Sequence, residues 1–323
     1  MQLAFLFPGQ NSRYRSMLGK LLAWDQANLQ WMERASDVLK RDLRSQYDEA
    51  NVEMFAFNRD IQIGVFLANH MHWQNLERAG VRAEYSAGLS LGEYNHLVHI
   101  GALEFDDALR VLEARGAAYE QGPRGKMAAV FPVSEDDLTG LLQNLGPAGR
   151  LAIGMINTPR QFVLSGDADA VDQASRAAEA ELLAEATVIE ERLPMHSPLF
   201  QTVGDRLRPA LEAVCWRDPG RPYLPNLTGS FAREPRAAVF VELLSRHTWN
   251  PVRWRESMET LVGASSAMTF VETGPKSVLT NFFGKKWLNP RRFQTDAESD
   301  FPNNMQRLLE ELRGGSARAG QVG

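Results

Sequence analysis

The run Leu3-Ala4-Phe5-Leu6-Phe7, closed by Pro8-Gly9, most restricts what this chain can become. An unbroken apolar strand has no polar face to give to water, so it must be covered on both sides, as in a parallel sheet flanked by helices. Pro8-Gly9 then ends the strand in a turn. Helical patterning follows over 13–43 and 61–79, and Tyr85-Ser86-Ala87 reads as a second strand leading into Gly88. Helices are predicted over 93–100 and 105–119, the latter ending before the breaker Gly122-Pro123-Arg124-Gly125.

Beyond that breaker the pattern changes. Strands are expected at 127–131, 151–156, 161–164 and 187–189, with helices at 135–144 and 168–182. This βαββαβ order is that of a ferredoxin-like unit. After Pro194 the helix-rich pattern returns, with helices at 199–214 and 237–248 and strands at 223–226 and 268–271. The expected fold is α/β: an α/β-hydrolase-like large subdomain (1–124 and 195–312) carrying an inserted ferredoxin-like small subdomain (125–194). The Gly- and Ala-rich stretch 313–323 reads as a flexible tail.

Composition excludes several functions. A net charge of −5 is the wrong sign for a chain whose main partner is nucleic acid. The one cysteine, Cys215, excludes an intrachain disulfide and a multi-cysteine metal site, and is expected to be simply packed. The N-terminus lacks a basic region and a cleavage site, and there is no apolar run of about 18 residues. A soluble, cytoplasmic protein without membrane segments is expected.

The residues that could do chemistry centre on Gly88-Leu89-Ser90-Leu91-Gly92. A serine hydroxyl is a poor nucleophile unless it is exposed, close to a base, and near donors for the developing oxyanion. Gly-x-Ser-x-Gly between a strand and a helix is the nucleophile-elbow spacing, and the following helix points its positive end at the serine. By itself the spacing also suits an ordinary strand-to-helix turn. Six histidines compete as base. His96 and His99 have a metal-compatible spacing but no evident third ligand, so a packed or solvated helix pair is the simpler reading. His70 and His72 face different directions on their helix, and His247 suits a helix C-terminus. His196, in Leu193-Pro194-Met195-His196-Ser197-Pro198, is held between prolines in a stiff segment at the boundary of the two subdomains.

Six motifs in order make the sequence resemble the malonyl-CoA:acyl carrier protein transacylases and related acyltransferases of polyketide synthesis. They are Phe7-Pro8-Gly9-Gln10, Gly88 to Tyr94, Arg115-Gly116, Pro194-Met195-His196-Ser197, Asn250-Pro251-Val252-Arg253-Trp254 and Glu272-Thr273-Gly274-Pro275. The resemblance implies Ser90 as nucleophile and His196 as general base, with no triad carboxylate. A backbone carbonyl would orient the imidazole, and the resemblance points to Asn250 for it. Gln10 and the backbone N–H of Leu91 would form the oxyanion hole. Arg115 would clamp the free carboxylate of a malonyl-type group, with Gln62 near the acyl pocket.

Considered without the resemblance, Arg115 could be a solvent-facing residue at a helix end, Gln62 a helix-surface residue and Gln10 a polar turn residue. Two positions depart from the family pattern: Leu89 stands where malonyl-specific members usually have histidine, and Met195 where serine or phenylalanine is common. Both would line the acyl pocket, leaving malonyl, a substituted malonyl or another carboxylated acyl group as substrates. The implied reaction moves the acyl group from acyl-CoA to the phosphopantetheine thiol of an acyl carrier protein, in fatty-acid or polyketide synthesis. It requires no metal or other cofactor, and a monomer is expected. Lys276, Lys285 and Lys286 are candidates for meeting an acidic carrier. An editing acyl-thioester hydrolase using the same serine and histidine is the alternative.

Overall fold

The computed structural model describes residues 2–145, 149–284, 286–297 and 300–319, with side chains through 312. Contacts divide the chain into two compact units, one of Met1–Gly116, Cys215–Tyr223 and Glu259–Gly323, the other of Ala117–Val214 and Leu224–Met258.

The first unit is built on a four-stranded parallel sheet. Strand β1 (Gln2–Phe7) lies between β2 (Tyr85–Gly88) and, further along the chain, β7 (Met268–Glu272), with β8 (Arg291–Gln294) at the edge beyond β7. Ala4 to Phe7 and Phe270 and Val271 are fully buried, the two-sided coverage that the apolar run demands. The register places Phe7 opposite Gly88. The chain segments leaving β1 and β2 therefore start side by side.

The second unit contains strands β3 (Lys126–Phe131), β4 (Leu151–Thr158), β5 (Gln161–Gly166) and β6 (Glu185–Glu190), antiparallel in the order β4-β5-β3-β6. The helices Glu135–Asn144 and Ala168–Leu182 complete the βαββαβ pattern. Each helix starts on a side-chain cap: Ser134 accepts from the Asp137 N–H at 3.1 Å, and Asp167 from the Ala170 N–H at 3.3 Å. Leu138, Val171, Ala174 and Ala178 from these helices share a core with Val130, Phe162 and Leu164 of the sheet. Truncating Leu164 to alanine would cost about 2–5 kcal/mol. This unit extends beyond 125–194, because the peptide of Val252 pairs with Gly154 and Ile156 at the edge of β4. Backbone pairing thus ties the 224–258 segment to the small sheet.

Several sequence expectations need correction. The helix expected over 13–43 is interrupted, giving Gly19–Trp24 and Ala27–Leu39, because the Asp25 carboxylate accepts the Ala27 N–H at 2.8 Å and turns the chain. Tyr223–Asn226 is not a strand. Pro222 and Pro225 lack the N–H groups a ladder needs, and Tyr223 instead donates its hydroxyl proton to Glu93 at 2.7 Å. Cys215 is exposed rather than packed, since it follows the end of the helix Gln201–Glu212. The backbone of 313–319 continues the helix Phe301–Ala319 rather than forming a loose tail, and 320–323 lie outside the described residues. Among the described residues no helix is long and apolar enough to cross a membrane.

Candidate active site

At Ser90 the chain turns from β2 into the helix Gly92–His99 within three residues, and that turn is legible as glycine. A Cβ on Gly88 would lie 1.9 Å from the Gly92 carbonyl oxygen, and one on Gly92 would lie 2.1 Å from that of Phe7. Neither position can carry a side chain. Gly9 is similarly restricted, its Cβ position being 2.9 Å from the Leu89 oxygen. The Leu89 N–H donates to the Phe7 oxygen at 2.9 Å, and Ser90 sits at φ 52°, in the left-handed region. A non-glycine residue there carries strain of about 1–3 kcal/mol. Strain plus close approach at a strand-to-helix turn is the geometry of a nucleophile elbow.

The peptide N–H groups of Gln10 and Leu91 both stand at the start of helical turns, Gln10 opening a 3-10 turn and Leu91 capping Gly92–His99, so neither has an intrahelical acceptor. Pro8, just before this turn, is fixed by a buried amide network. The Asn69 side-chain NH2 donates to the Pro8 oxygen at 3.0 Å and to the Asn95 carboxamide oxygen at 2.9 Å, while Asn95 donates to the Phe66 oxygen at 3.0 Å. These asparagines carry no signal in a single sequence beyond being polar residues within apolar helices.

Arg115 is 1% exposed and lies inside the helix Phe105–Glu120, not at a solvent-facing end. Its Nη1 donates to Gln62 Oε1 at 2.7 Å, and the guanidinium lies 5.6 Å from the centre of the Tyr94 ring. Gly116 makes this depth accessible. A Cβ there would lie 2.2 Å from Arg59 Cα, so only glycine lets the helix starting at Asn58 approach so closely. Gln62 and Gln10 are buried as well, not surface or turn residues in water. Leu89, 7% exposed, belongs to the same unit as Ser90, Gln10, Leu91, Gln62 and Arg115.

His196, Met195 and Asn250 belong to the second unit. The His196 peptide N–H donates to the Thr248 oxygen at 2.9 Å, and its ring Nδ1 lies 2.8 Å from the His247 oxygen. A carbonyl only accepts, so Nδ1 carries the proton and Nε2 holds the lone pair a general base needs. The orienting carbonyl is therefore that of His247, not Asn250, which instead donates its side-chain NH2 to the Arg246 oxygen at 2.8 Å. The physical reason is that His247 ends the helix Ala237–His247, where carbonyls lack intrahelical donors and the helix dipole favours a positive imidazole. Met195 is buried, and its carbonyl accepts the Ser165 hydroxyl at 2.6 Å. His196 also adopts a left-handed conformation, φ 62°. Ser197 closes this turn by donating to the Pro194 oxygen at 2.7 Å.

His96 and His99 are buried. Both approach the Ser86 hydroxyl, at 2.6 and 2.8 Å through Nδ1. Burial lowers the His96 pKa to about 3 and that of His99 well below its usual value, keeping both neutral. Among the described residues no group of three or more potential metal ligands is arranged to hold an ion.

Over residues 4–289 the chain matches the acyl transferase domain, and it belongs to that family: it is an acyltransferase. It is 30% identical over 316 residues to the malonyl CoA-acyl carrier protein transacylase of Bacillus subtilis, covering 97% of this chain and 98% of that one. The crystal structure of the Streptococcus pneumoniae MCAT matches with a TM-score of 0.87 and 28% identity, over 96% of this chain and 100% of the other. A malonyl-transacylase solved in complex with its type II PKS acyl-carrier protein matches at 0.86 and 25%, over 95% and 100%.

Proposed function

We propose that this chain moves a malonyl-type acyl group from coenzyme A to the phosphopantetheine thiol of an acyl carrier protein. Ser90 Oγ attacks the thioester carbonyl while His196 Nε2 takes the hydroxyl proton. The thioester C–S bond breaks, and the departing thiolate receives that proton from the imidazolium. The carrier thiol then attacks the acyl ester by the reverse sequence. The N–H groups of Gln10 and Leu91 stabilise each tetrahedral oxyanion. This chemistry calls for no metal or redox cofactor.

The observation that carries the reading is the buried Arg115 guanidinium, held by Gln62 in the same unit as the strained Ser90 turn. A guanidinium matches a carboxylate in charge and in two-pronged donor geometry, and a free acyl carboxylate presents that group. The naming of relatives as malonyl transacylases, one of them in complex with a carrier, supports the same substrate and partner. Lys276 and Lys286 are candidates for attracting an acidic carrier; Lys285 lies outside the described residues.

The test supplies malonyl-CoA and a phosphopantetheinylated carrier protein, then follows the carrier's mass. Transfer to the carrier should greatly outpace release of free malonate. Rapid hydrolysis with no carrier product would make the protein an editing hydrolase instead. Arg115→Ala should lower the malonyl-CoA to acetyl-CoA preference by about 100-fold, roughly one lost charge-assisted hydrogen-bonded pair.

A further inference from the structure

The clamp and the oxyanion residue are joined by a line of buried amides. Arg115 Nη1 donates to Gln62 Oε1 at 2.7 Å, Gln62 Nε2 donates to Asn58 Oδ1, and Asn58 Nδ2 donates to Gln10 Oε1 at 3.5 Å. All four side chains are at least nine-tenths buried. Asn58 and Gln62 stand four apart on one face of the helix Asn58–Arg78, which is why a single helix can carry two successive links.

The direction of this line is not arbitrary. A carboxamide can be turned either way, but a guanidinium has only donors. Arg115 therefore requires the oxygen of Gln62, which leaves the Gln62 NH2 to face Asn58. Asn58 must accept with its oxygen and donate with its NH2. Gln10 must then accept from Asn58 and presents its own NH2 elsewhere. That Gln10 nitrogen is buried and has no hydrogen-bond partner among the described residues. An unmatched buried donor is costly, a penalty that an acyl oxygen arriving at the Ser90 turn would relieve.

We propose that Asn58 is a positioning residue that transmits the donor-only character of Arg115 to Gln10, holding the Gln10 carboxamide with its NH2 available to the acyl group. It thereby couples recognition of an acyl carboxylate to acylation of Ser90. The inference rests on the transacylase reading above. Arg115 is thereby felt at the reacting carbonyl through two intervening amides.

Single-turnover acylation by malonyl-CoA, read by rapid quench and intact mass, tests it on wild type, Asn58→Ala, Asn58→Asp, Arg115→Ala and the Asn58→Ala/Arg115→Ala pair. Asn58→Asp is nearly isosteric and still accepts from Gln62, but its carboxylate donates nothing to Gln10. Both Asn58 variants should acylate about 10-fold more slowly at saturation, with little change in the half-saturating concentration. In the Arg115→Ala background the further effect of Asn58→Ala should shrink below about threefold, because the source of the polarity is gone. A purely structural asparagine would give independent, multiplying losses. Should Asn58→Ala fail to fold, judged by its melting temperature, Asn58→Asp and its pairing with Arg115→Ala carry the same test. Wild-type rates in Asn58→Asp, or an undiminished Asn58 effect without Arg115, would overturn the link. Absence of any wild-type adduct on Ser90 would instead overturn the transacylase reading.

Discussion

Ser90 and His196 are both non-glycine residues at positive φ, yet they are held there by opposite means. Around Ser90 the constraint is steric: Gly9, Gly88 and Gly92 are required because backbone atoms lie where a Cβ would go. Around His196 the constraint is polar, with its peptide and ring bound to two carbonyls at the end of a helix about fifty residues later. Excluded volume selects a residue type and so marks the sequence. A carbonyl acceptor is present on every residue and leaves no mark. The contrast teaches which kind of constrained turn can be read before the fold is known.

The steric half should break most sharply. Gly88→Ala places a methyl group 1.9 Å from a carbonyl oxygen, and we expect more than about 4 kcal/mol of destabilisation or no folded protein, measured by denaturant unfolding. The polar half should tolerate loss of its side chain structurally but not chemically. His196→Ala should melt close to wild type while acylation slows by about 1,000-fold.

Acid should then separate fold from chemistry. Burial lowers the pKa of His70 to about 3, His72 to about 4 and His96 to about 3, and that of His99 well below normal. A folded-state pKa below the unfolded value of 6.5 gives stability that is complete above pH 6.5 and is lost as pH falls towards 4. Glu272, raised to about 7 chiefly by burial, works the other way, its contribution being lost as pH rises through 7. Four histidines outweigh one glutamate, so stability should drop by about 3 kcal/mol between pH 6 and pH 5, readable by urea melts. The smallest effect sharpens the carbonyl assignment: His247→Ala and Asn250→Ala each keep the orienting carbonyl and should change the acylation rate by less than about threefold. A 100-fold loss in Asn250→Ala alone would instead show that the Asn250 side chain, through its bond to the Arg246 oxygen, holds the segment that orients the imidazole.

The same division explains what else was legible. The helices Glu135–Asn144 and Ala168–Leu182 could be read to the residue, because local caps and apolar spacing define them. Strand β8 has no local signature, since Arg291-Arg292-Phe293-Gln294 is a strand only by pairing with β7. Arg115 is marked by the Arg115-Gly116 motif and Gln62 only by the resemblance, while Asn58 is marked by neither, although its spacing of four from Gln62 places the two on one helix face. The Asn69 and Asn95 amides that fix Pro8 depend on contacts 26 to 61 residues apart, and no local pattern announces them.

The central claim is that Ser90 carries the acyl group, and intact-mass analysis after brief exposure to malonyl-CoA tests it most directly. The account predicts a single malonyl adduct on the wild-type protein, located by peptide mapping at Ser90 and absent from Ser90→Ala. An adduct of equal yield on Ser90→Ala, or one mapped to another residue such as the exposed Cys215, would contradict it.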